Sequence, residues 1–576
     1  MRLPVLLLSL AMIATTSGCS GDSAGPAEPQ PAASGPAPAA PASARRHDES
    51  SYAEPHKVRI TDLALDLKLD FDARQLSGTA TYTLEWIDPQ ATELLLDTRD
   101  LAIEKVEGEA DGAWSPLEFA LADADPVFGS RLAIQAPQRN ARIRVTYATS
   151  PQASGLQWLE PSMTEGGKLP FMFSQSQAIH ARSWVPLQDT PGVRFTYSAH
   201  VTTRPDVMVL MSADNDPDAE RDGDYTFSMP QPIPSYLLAI AAGDLVFKPI
   251  SPRSGVWAEP TMVDRAVAEF EDTEKMIATT EALYGPYRWE RYDMLVLPPS
   301  FPFGGMENPR LSFITPTVIV GDKSLVSLIA HELAHSWSGN LVTSASWKDI
   351  WLNEGFTTYV QGRIVEALYG HELAEMERQI DQAGVKADMA RMAEHDQLLV
   401  LPPLGTRDPD EALSEVAYTK GAWFLQFLEQ RFGREVFDPF LRAWFDDHAF
   451  QSADSDQFVA YLRANLLAKN PNAVTEEELD AWLNRPGIPA VAPPARSRTF
   501  ANVDTARIAW GGSGQLPNPQ VTHEWGTQAW VHFIEGLGEK ARPEQLAQLD
   551  AAYHFTGTAN GEIAMRWYPL AIRSGY

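Results

Sequence analysis

Three hydrophobic patterns follow one another along the chain. Over residues 52–246, apolar and polar residues alternate in short runs such as Leu63–Leu69, which is typical of strands that bury one face. Over 247–485, apolar residues recur at three- and four-residue spacing, which is typical of amphipathic helices. A proline-rich linker at 486–497 precedes more helical spacing over 498–576. We therefore expect a multidomain α+β protein: an all-β N-terminal domain, a mostly helical central domain and a helical C-terminal domain.

The first 51 residues have a different composition. A positive start at Arg2 and an apolar run over Val5–Ala14, too short to span a bilayer, precede Cys19. We expect a lipoprotein-type signal peptide over 1–19, with lipidation at Cys19; a plain secretory signal is the alternative. The Pro- and Ala-rich segment 20–51 is expected to be a disordered tether. Together these features predict a protein exported to the bacterial cell envelope, periplasmic or secreted if it is not anchored.

Composition and charge bear on the possible partners of the protein. The formal net charge is −30, with 46 Lys and Arg against 76 Asp and Glu, which argues against nucleic acid as a partner. Cys19 is the only cysteine, so the chain has no internal disulfide. No later apolar stretch reaches the length of a membrane span, so we expect membrane contact only through the lipid anchor.

The sequence His331-Glu332-Leu333-Ala334-His335 carries the strongest chemical signal. On a helix, histidines four residues apart face the same side and can bind one zinc ion, with Glu332 beside them as general base. A catalytic zinc needs a third protein ligand, and Glu354 is the candidate. The spacing predicts one helix over Ser324–Trp337, capped by Asp322 or Ser324, and a second over Trp351–Tyr369.

Two further segments sharpen this chemistry. Gly304 and Gly305 precede Met306 and Glu307, so a substrate backbone could approach the glycines while Glu307 binds a protonated α-amine. The alternative is an ordinary tight turn. Tyr418 opens a later helix, where it could stabilise an oxyanion or simply pack in the core.

Taken together, these motifs resemble the aminopeptidase N family of zinc peptidases, the gluzincins, and most closely its leukotriene hydrolase branch. The resemblance extends from about residue 55 onward. It is carried by Leu297–Pro309, Gly321–Leu325, the zinc-ligand motifs, Gln175–His180, Pro186–Pro191, Tyr418–Gly421, Glu562-Ile563 and Arg566-Trp567.

The resemblance implies a saddle-like β domain, a thermolysin-like catalytic domain and a helical C-terminal domain. It implies that His331, His335 and Glu354 bind zinc and that Glu332 is the general base. Tyr418 would stabilise the tetrahedral intermediate and Glu307 would anchor the substrate amine. The substrate site implied by the family comprises Gln175, Gln177, Phe303, Gly304, Gly305, Met306 and Glu307.

Three points differ from the family or stay open. Phe303 stands where leukotriene hydrolases have tyrosine, which affects the first side-chain pocket. Those enzymes continue past the segment matching Trp567 with helices that clamp a peptide's carboxylate, so we expect a C-terminal domain that is cut short. Asp410 aligns with the family's epoxide-hydrolase aspartate, although a helix start would also explain it.

We therefore predict a monomeric zinc aminopeptidase that acts on peptides with a free N-terminus. One alternative is a bifunctional epoxide hydrolase and aminopeptidase. The other is an inactive, surface-tethered peptide-binding protein, against which the intact His331, Glu332, His335 and Glu354 count.

Overall fold

The computed structural model describes residues 48–576, and its N-terminal part is built of strands. Alternating sequences form the longest of them; in the first, Leu63, Leu65, Leu67 and Leu69 are all buried on one face. The strands are β1 Val58–Asp70, β2 Gln75–Trp86, β3 Glu93–Thr98, β4 Ala102–Ala110, β5 Ala113–Pro116, β6 Phe119–Leu121, β7 Ser130–Gln135, β8 Arg142–Ala148, β9 Leu156–Leu159, β10 Phe171–Ser174, β11 Arg194–Thr202, β12 Met208–Met211, β13 Asp224–Pro234 and β14 Ile240–Gly243.

These strands form three sheets. The largest has the order β13-β11-β1-β2-β8-β4-β5, in which β1 pairs antiparallel with β2 and parallel with β11. A second sheet has the order β12-β14-β10-β9, and a third β3-β7-β6. Strand β10 matters for function, because Gln175 and Gln177 follow its last residue, Ser174.

The central part carries a small sheet and then helices. Its elements are β15 Val246–Ser251, β16 Ser254–Ala258, α1 Val263–Glu269, α2 Thr273–Tyr284, β17 Tyr292–Val296, β18 Gly305–Met306, β19 Leu311–Ile314, α3 Ser327–Ala334, β20 Val342–Ser344, α4 Trp351–Tyr369, α5 His371–Met389, α6 Gly421–Phe432, α7 Arg434–Asp447, β21 Gln451–Ala453, α8 Ser455–Asn465 and α9 Glu476–Leu483. The sheet order is β15-β16-β17-β19-β18, so β18 is an edge strand.

The C-terminal part is helical. Its helices are α10 Arg498–Ser513, α11 Pro519–Thr522, α12 Thr527–Glu535, α13 Pro543–Tyr553 and α14 Gly561–Ser574. They bury a core of their own, which includes Trp510, Phe533, Leu546 and Trp567. The β-rich, catalytic and helical order agrees with the multidomain α+β expectation.

The zinc helix is shorter than predicted. Helix α3 begins at Ser327, and its N-cap, Val326, makes no side-chain cap. The reason is tertiary: Gln528 donates to the Ser324 carbonyl at 3.0 Å and Thr527 bonds the Ser324 hydroxyl at 2.8 Å. Helix α12 therefore holds Ser324 outside the helix. The second predicted helix, Trp351–Tyr369, is confirmed with the same bounds as α4.

Residues 48–51, which the sequence assigns to the tether, differ from that expectation. Ser50 and Ser51 are buried, and the Ser51 hydroxyl donates to Asp97 at 2.6 Å. Arg182 donates to the Ser50 carbonyl at 2.8 Å. The end of this segment is thus fastened into the β domain by buried polar contacts that its composition does not reveal.

Candidate metal centre and active-site cleft

Helices α3 and α4 bring three predicted ligands together. The Nε2 atoms of His331 and His335 are 3.1 Å apart. Glu354 Oε2 is 3.5 Å from His331 Nε2 and 3.6 Å from His335 Nε2. His335 and Glu354 are buried, and His331 is partly buried. His331 and His335 lie four residues apart at the end of α3, and Glu354 lies in the first turn of α4. The three side chains therefore converge on one point.

The three donor atoms fit a zinc ion. Tetrahedral zinc with ligands at about 2.0–2.1 Å separates neighbouring ligand atoms by about 3.3 Å, close to the three distances in this cluster. Glu354 Oε2 is also a buried carboxylate oxygen without a hydrogen-bond partner among the described residues. A cation at the centre of the cluster would satisfy it.

Neighbouring side chains fix the orientation of both imidazoles. His331 Nδ1 donates to Gln361 Oε1 at 2.9 Å. His335 Nδ1 lies 3.2 Å from the Ser338 carbonyl and 3.1 Å from Thr357 Oγ1. With Nδ1 occupied in each ring, Nε2 is left to face the cluster, as metal-bound histidines require.

Sequence reasoning missed Gln361 and Thr357. Both lie on α4: Thr357 is three residues and Gln361 seven residues after Glu354, so they share one face of the helix with it. That spacing was the available signal. A residue type as common as Thr or Gln becomes informative only once Glu354 is accepted as a ligand.

Burial and the neighbouring charges shift the pKa values of the cluster residues in different directions. Burial lowers the pKa of His331, but the carboxylate of Glu354, whose Oε2 lies 3.5 Å from Nε2, and the charge of Glu332 raise it to about 9. Burial, with little compensation, lowers the pKa of His335 to about 4. Burial and the nearby carboxylates of Glu307 and Glu354 raise the pKa of Glu332 well above its usual range.

Glu307, Glu332 and His335 form a second group of potential ligands in the same place. The His335 atom that approaches Glu307 Oε1, at 4.0 Å, is Nδ1. That nitrogen is already held by Ser338 and Thr357. We therefore assign the zinc to His331, His335 and Glu354.

Glu332 lies under the edge strand β18. It is 4% exposed, and its Oε2 has no hydrogen-bond partner among the described residues. A Cβ at Gly305 would lie 2.2 Å from Glu332 Oε1 and 2.3 Å from its Cδ. Any other residue at 305 would push Glu332 aside, so the glycine is required for the strand to pass so close to this carboxylate.

Among the other predicted substrate residues, Gln175, Gln177 and Glu307 line the same cavity as the cluster. Glu307 is 4% exposed and accepts from Asn353 at 3.4 Å, and burial raises its pKa. Gln175 Oε1 and Gln177 Nε2 are buried without partners among the described residues. Met306 does not line the cleft; it is buried behind it, where its sulfur accepts from Gln175 Nε2 at 3.2 Å.

Tyr418 completes the cleft from the π-helical turn Val416–Lys420 that precedes α6. Its ring stacks on His331, with centroids 6.0 Å apart and planes at 21°. Burial, and then the charges of Glu354 and Glu307, raises the pKa of Tyr418 well above its usual value. At neutral pH its hydroxyl is therefore a proton donor.

One cavity of about 310 Å³ joins these groups. The predicted site residues that line it are Gln175, Gln177, Phe303, Gly304, Gly305, Glu307, His331, Glu332, His335, Glu354 and Tyr418. Asp410 also lines it, accepts from the Ala178 amide at 3.1 Å, and lies 3.3 Å from His180 Nε2. The helix start nearby is capped by Asp408 instead, which leaves the Asp410 carboxylate facing the cleft.

Comparison with known families agrees with this arrangement. Residues 268–482 match the peptidase family M1 domain, 50–237 the peptidase M1 N-terminal domain and 525–576 the leukotriene A4 hydrolase C-terminal domain. The chain belongs to peptidase family M1. Leukotriene A-4 hydrolase of Xenopus laevis is 36% identical over 92% of this chain and 89% of its own length. Leucine aminopeptidase 2 of Yarrowia lipolytica is 36% identical over 91% of this chain and 84% of its own length.

Solved structures show the same fold. A yeast LTA4 hydrolase in complex with bestatin superposes with a TM-score of 0.87 at 32% identity, covering 93% of this chain and 89% of that chain. An M1 zinc metallopeptidase of Deinococcus radiodurans, 20% identical, has a TM-score of 0.62 over 78% of this chain. This M1 peptidase is therefore a zinc-dependent metallo-aminopeptidase, and its zinc site is the cluster of His331, His335 and Glu354.

The predicted location is wrong. The Xenopus laevis and Yarrowia lipolytica relatives, each matching over nine-tenths of the chain, are eukaryotic enzymes, which contradicts a protein exported to a bacterial envelope. Residues 48–576 contain no helix long and apolar enough to cross a membrane. The signal peptide predicted over 1–19, with Cys19, lies outside the described residues.

Proposed function

We propose that this M1 peptidase releases N-terminal residues from peptides, with Glu332 as general base, Tyr418 as oxyanion donor and Glu307 as the anchor of the substrate amine. The observation that carries the proposal is Glu332 Oε2, a buried carboxylate oxygen without a partner in residues 48–576, beside a zinc-ligand cluster in an open cavity. An unpaired buried acceptor is costly, so its persistence points to a proton transfer partner that arrives with the substrate.

Zinc held by His331, His335 and Glu354 supplies Lewis acidity toward the scissile carbonyl and makes water a better nucleophile. Glu332 accepts the proton of the attacking water and delivers it to the leaving amine. A raised pKa suits this task, because the group must hold a proton in one step and release it in the next.

Tyr418 lines the same cavity as Glu332 and remains protonated at neutral pH, as its raised pKa requires. Its hydroxyl can donate to the oxygen that gains negative charge when water adds to the carbonyl. A donor already in position for that oxygen lowers the barrier without reorganisation.

Glu307 gives the enzyme its preference for a free N-terminus. Its carboxylate is buried at the wall formed by β18 and accepts one long hydrogen bond from Asn353. A substrate ammonium would supply the missing charge, while Gln175 Oε1 offers a further acceptor across the cavity. An acetylated N-terminus carries no positive charge, so it cannot pair with Glu307 or Gln175 as an ammonium group does.

The test is hydrolysis of a panel of aminoacyl-naphthylamides by the full chain with bound zinc. We expect turnover of free amines, refusal of N-acetylated substrates, and loss of activity after chelation. Glu307→Gln should raise KM about tenfold or more while zinc content stays unchanged. Equal turnover of acetylated and free substrates would exclude the amine anchor.

Asp410 supports a second candidate, epoxide hydrolysis, because it lines the same cavity and its carboxylate is oriented by Ala178 and His180. The Xenopus laevis relative is named leukotriene A-4 hydrolase, and the similar solved yeast structure is named LTA4 hydrolase. Asp410→Asn, assayed separately on peptides and on a lipid epoxide, tests it. Loss of epoxide turnover with peptide turnover retained would support two activities; absence of epoxide turnover in the parent would exclude the second.

A further inference from the structure

Lys420 is a buried cation close to the site that the mechanism above does not use. It is fully buried, and its Nζ donates to the carbonyls of Gln397 and Arg485, each at 2.8 Å. Burying an amino group away from water is costly unless its hydrogens find acceptors. Two backbone carbonyls from distant parts of the chain provide them here.

The two carbonyls belong to segments that are also bonded to each other. Gln397 follows α5, and its side chain donates to the carbonyls of Met389 and Met392 at 2.9 and 3.1 Å. The same side chain accepts from the Gly487 amide at 3.0 Å, two residues past Arg485. Lys420 therefore joins the start of α6 to a hydrogen-bonded unit formed by the ends of α5 and α9.

The segment that Lys420 anchors is the π-helical turn Val416–Lys420. A π-turn contains an extra residue, is rare, and occurs frequently at functional sites. Tyr418 sits in the middle of this turn, stacked on His331. The conformation of the turn thus decides where the Tyr418 hydroxyl points.

The other side of the turn is held by a glycine contact. A Cβ at Gly355 would lie 2.7 Å from Gly421 Cα, and one at Gly421 would lie 2.8 Å from Gly355 Cα. Helices α4 and α6 therefore touch through their backbones directly beside Glu354. The glycine contact fixes how closely the turn approaches Glu354, and the two Lys420 hydrogen bonds attach the turn at a second place.

We propose that Lys420 is a positioning residue for Tyr418: by clamping the π-turn to the Gln397 and Arg485 carbonyls, it holds the phenol where the oxyanion forms. This rests on the proposed role of Tyr418. It gives Lys420 an effect on catalysis without any contact with substrate or zinc.

A double-mutant cycle tests the proposal. Tyr418→Phe should lower kcat about a hundredfold, and Lys420→Met about tenfold, since a small misplacement of a catalytic group is enough for such a loss. KM should stay within about twofold in both. In the double variant, Lys420→Met should cause no further loss, because the hydroxyl that it positions is gone.

A binding measurement provides a readout independent of turnover. An aminophosphinic dipeptide, which mimics the tetrahedral intermediate, should bind about tenfold more weakly to Lys420→Met, whereas the product leucine should bind unchanged. Lys386→Met is the matched control. It removes an exposed lysine on α5 whose Nζ lies 5.1 Å from the Trp423 ring, and it should alter neither kcat nor binding.

The outcomes separate the two claims. A Tyr418→Phe variant with parental kcat would overturn the oxyanion role, and the inference with it. A low kcat in Tyr418→Phe but a parental kcat in Lys420→Met, or full additivity in the double variant, would overturn the inference alone. If Lys420→Met does not fold, Gln397→Leu loosens the same clamp and should lower kcat about threefold with KM unchanged; a parental kcat there would overturn it.

Discussion

Two regions of this M1 peptidase bury charged side chains but satisfy them in opposite ways. In the β domain, Arg182, Asp97 and Asp189 are all 0% exposed, and Arg182 donates to Asp189 Oδ2 and to the Phe128, Ser50 and Asp189 carbonyls. In the cleft, Glu332 and Glu354 are also buried, at 4% and 2% exposed, yet each leaves an oxygen without a partner among the described residues.

The difference shows that burial of charge does not by itself mark function. The Arg182 cluster is saturated: Asp97 accepts from Ser51, Tyr52 and the Asp189 amide at 2.6–2.8 Å. A saturated network contributes rigidity and specificity of packing. In the cleft the partners must come from outside, namely a cation and a substrate, which accounts for the unpaired oxygens of these two carboxylates.

The largest expected effect comes from neutralising the unsatisfied carboxylate. Glu332→Gln should lower kcat about a thousandfold, since general-base catalysis contributes about 10²–10⁴, with zinc content unchanged by elemental analysis. The matched control is Glu269→Gln. Glu269 is 2% exposed, but both of its oxygens accept backbone amides, from Gly321 and Lys323 at 2.7 and 2.8 Å.

The control should keep kcat within about twofold and lose about 1–3 kcal/mol of unfolding free energy, because it disturbs a satisfied buried acceptor. Similar kcat losses in both variants would erase the distinction between the two kinds of buried carboxylate. Parental turnover in Glu332→Gln would remove Glu332 from the mechanism.

Breaking the saturated cluster should act on stability alone. Arg182→Met leaves Asp97 and Asp189 as buried anions without their counter-ion and should lower the free energy of unfolding by about 3–5 kcal/mol. Urea denaturation measures the loss, and kcat at a temperature where the variant remains folded should match the parent. A kcat loss without destabilisation would mean that the β-domain cluster also serves the chemistry.

Lys420 is intermediate between the Arg182 cluster and the cleft carboxylates. Its amine has hydrogen-bond partners, but they are neutral carbonyls rather than an anion. Burial lowers its pKa from 10.5 to about 7. Between these values the unfolded chain binds a proton that the folded protein does not, so this contribution to stability rises with pH, by about 1.4 kcal/mol per unit. Below about pH 7 both states are protonated and the contribution is flat.

Urea unfolding of the parent and Lys420→Met at pH 7.5, 8.5 and 9.5 isolates this contribution, since other titrating groups cancel in the difference. The parent should gain stability relative to the variant at each step. A constant difference would show that the two carbonyls keep Lys420 charged throughout this range.

How well each feature can be predicted from the sequence depends on how far apart along the chain its interacting residues lie. Helix α4 and the convergence of His331, His335 and Glu354 depend on spacing within helices, which a sequence displays directly. The early start predicted for α3 was wrong because Ser324 is held by α12, some two hundred residues away. The close approach of Gly305 to Glu332 and the Lys420 clamp are equally long-range.

Partners of buried charges are the least visible in sequence. Arg182 and Lys420 look like ordinary surface residues by type, and only the folded chain shows one saturated by aspartates and the other by carbonyls. The carboxylates of the cleft were predictable because a metal motif explains them. Structural charges have no such motif.

The smallest expected effect is at Phe303, in the apolar wall of the cleft. Phe173, Phe301 and Phe303 form an edge-to-face row with centroids 5.8 and 5.7 Å apart, and Phe303 lines the cavity while Phe301 is 4% exposed. Phe303→Tyr places a hydroxyl where substrate or water can satisfy it. It should shift the ratio of kcat/KM between leucyl and arginyl naphthylamides by less than about tenfold, with the free energy of unfolding unaffected.

The control is Phe301→Tyr, which should instead bury an unpaired hydroxyl and lower the unfolding free energy by about 1–3 kcal/mol without changing selectivity. If Phe301→Tyr changed selectivity and Phe303→Tyr lowered the unfolding free energy instead, the aromatic wall would not be divided, as the carboxylates are, into a structural interior and a face that meets substrate.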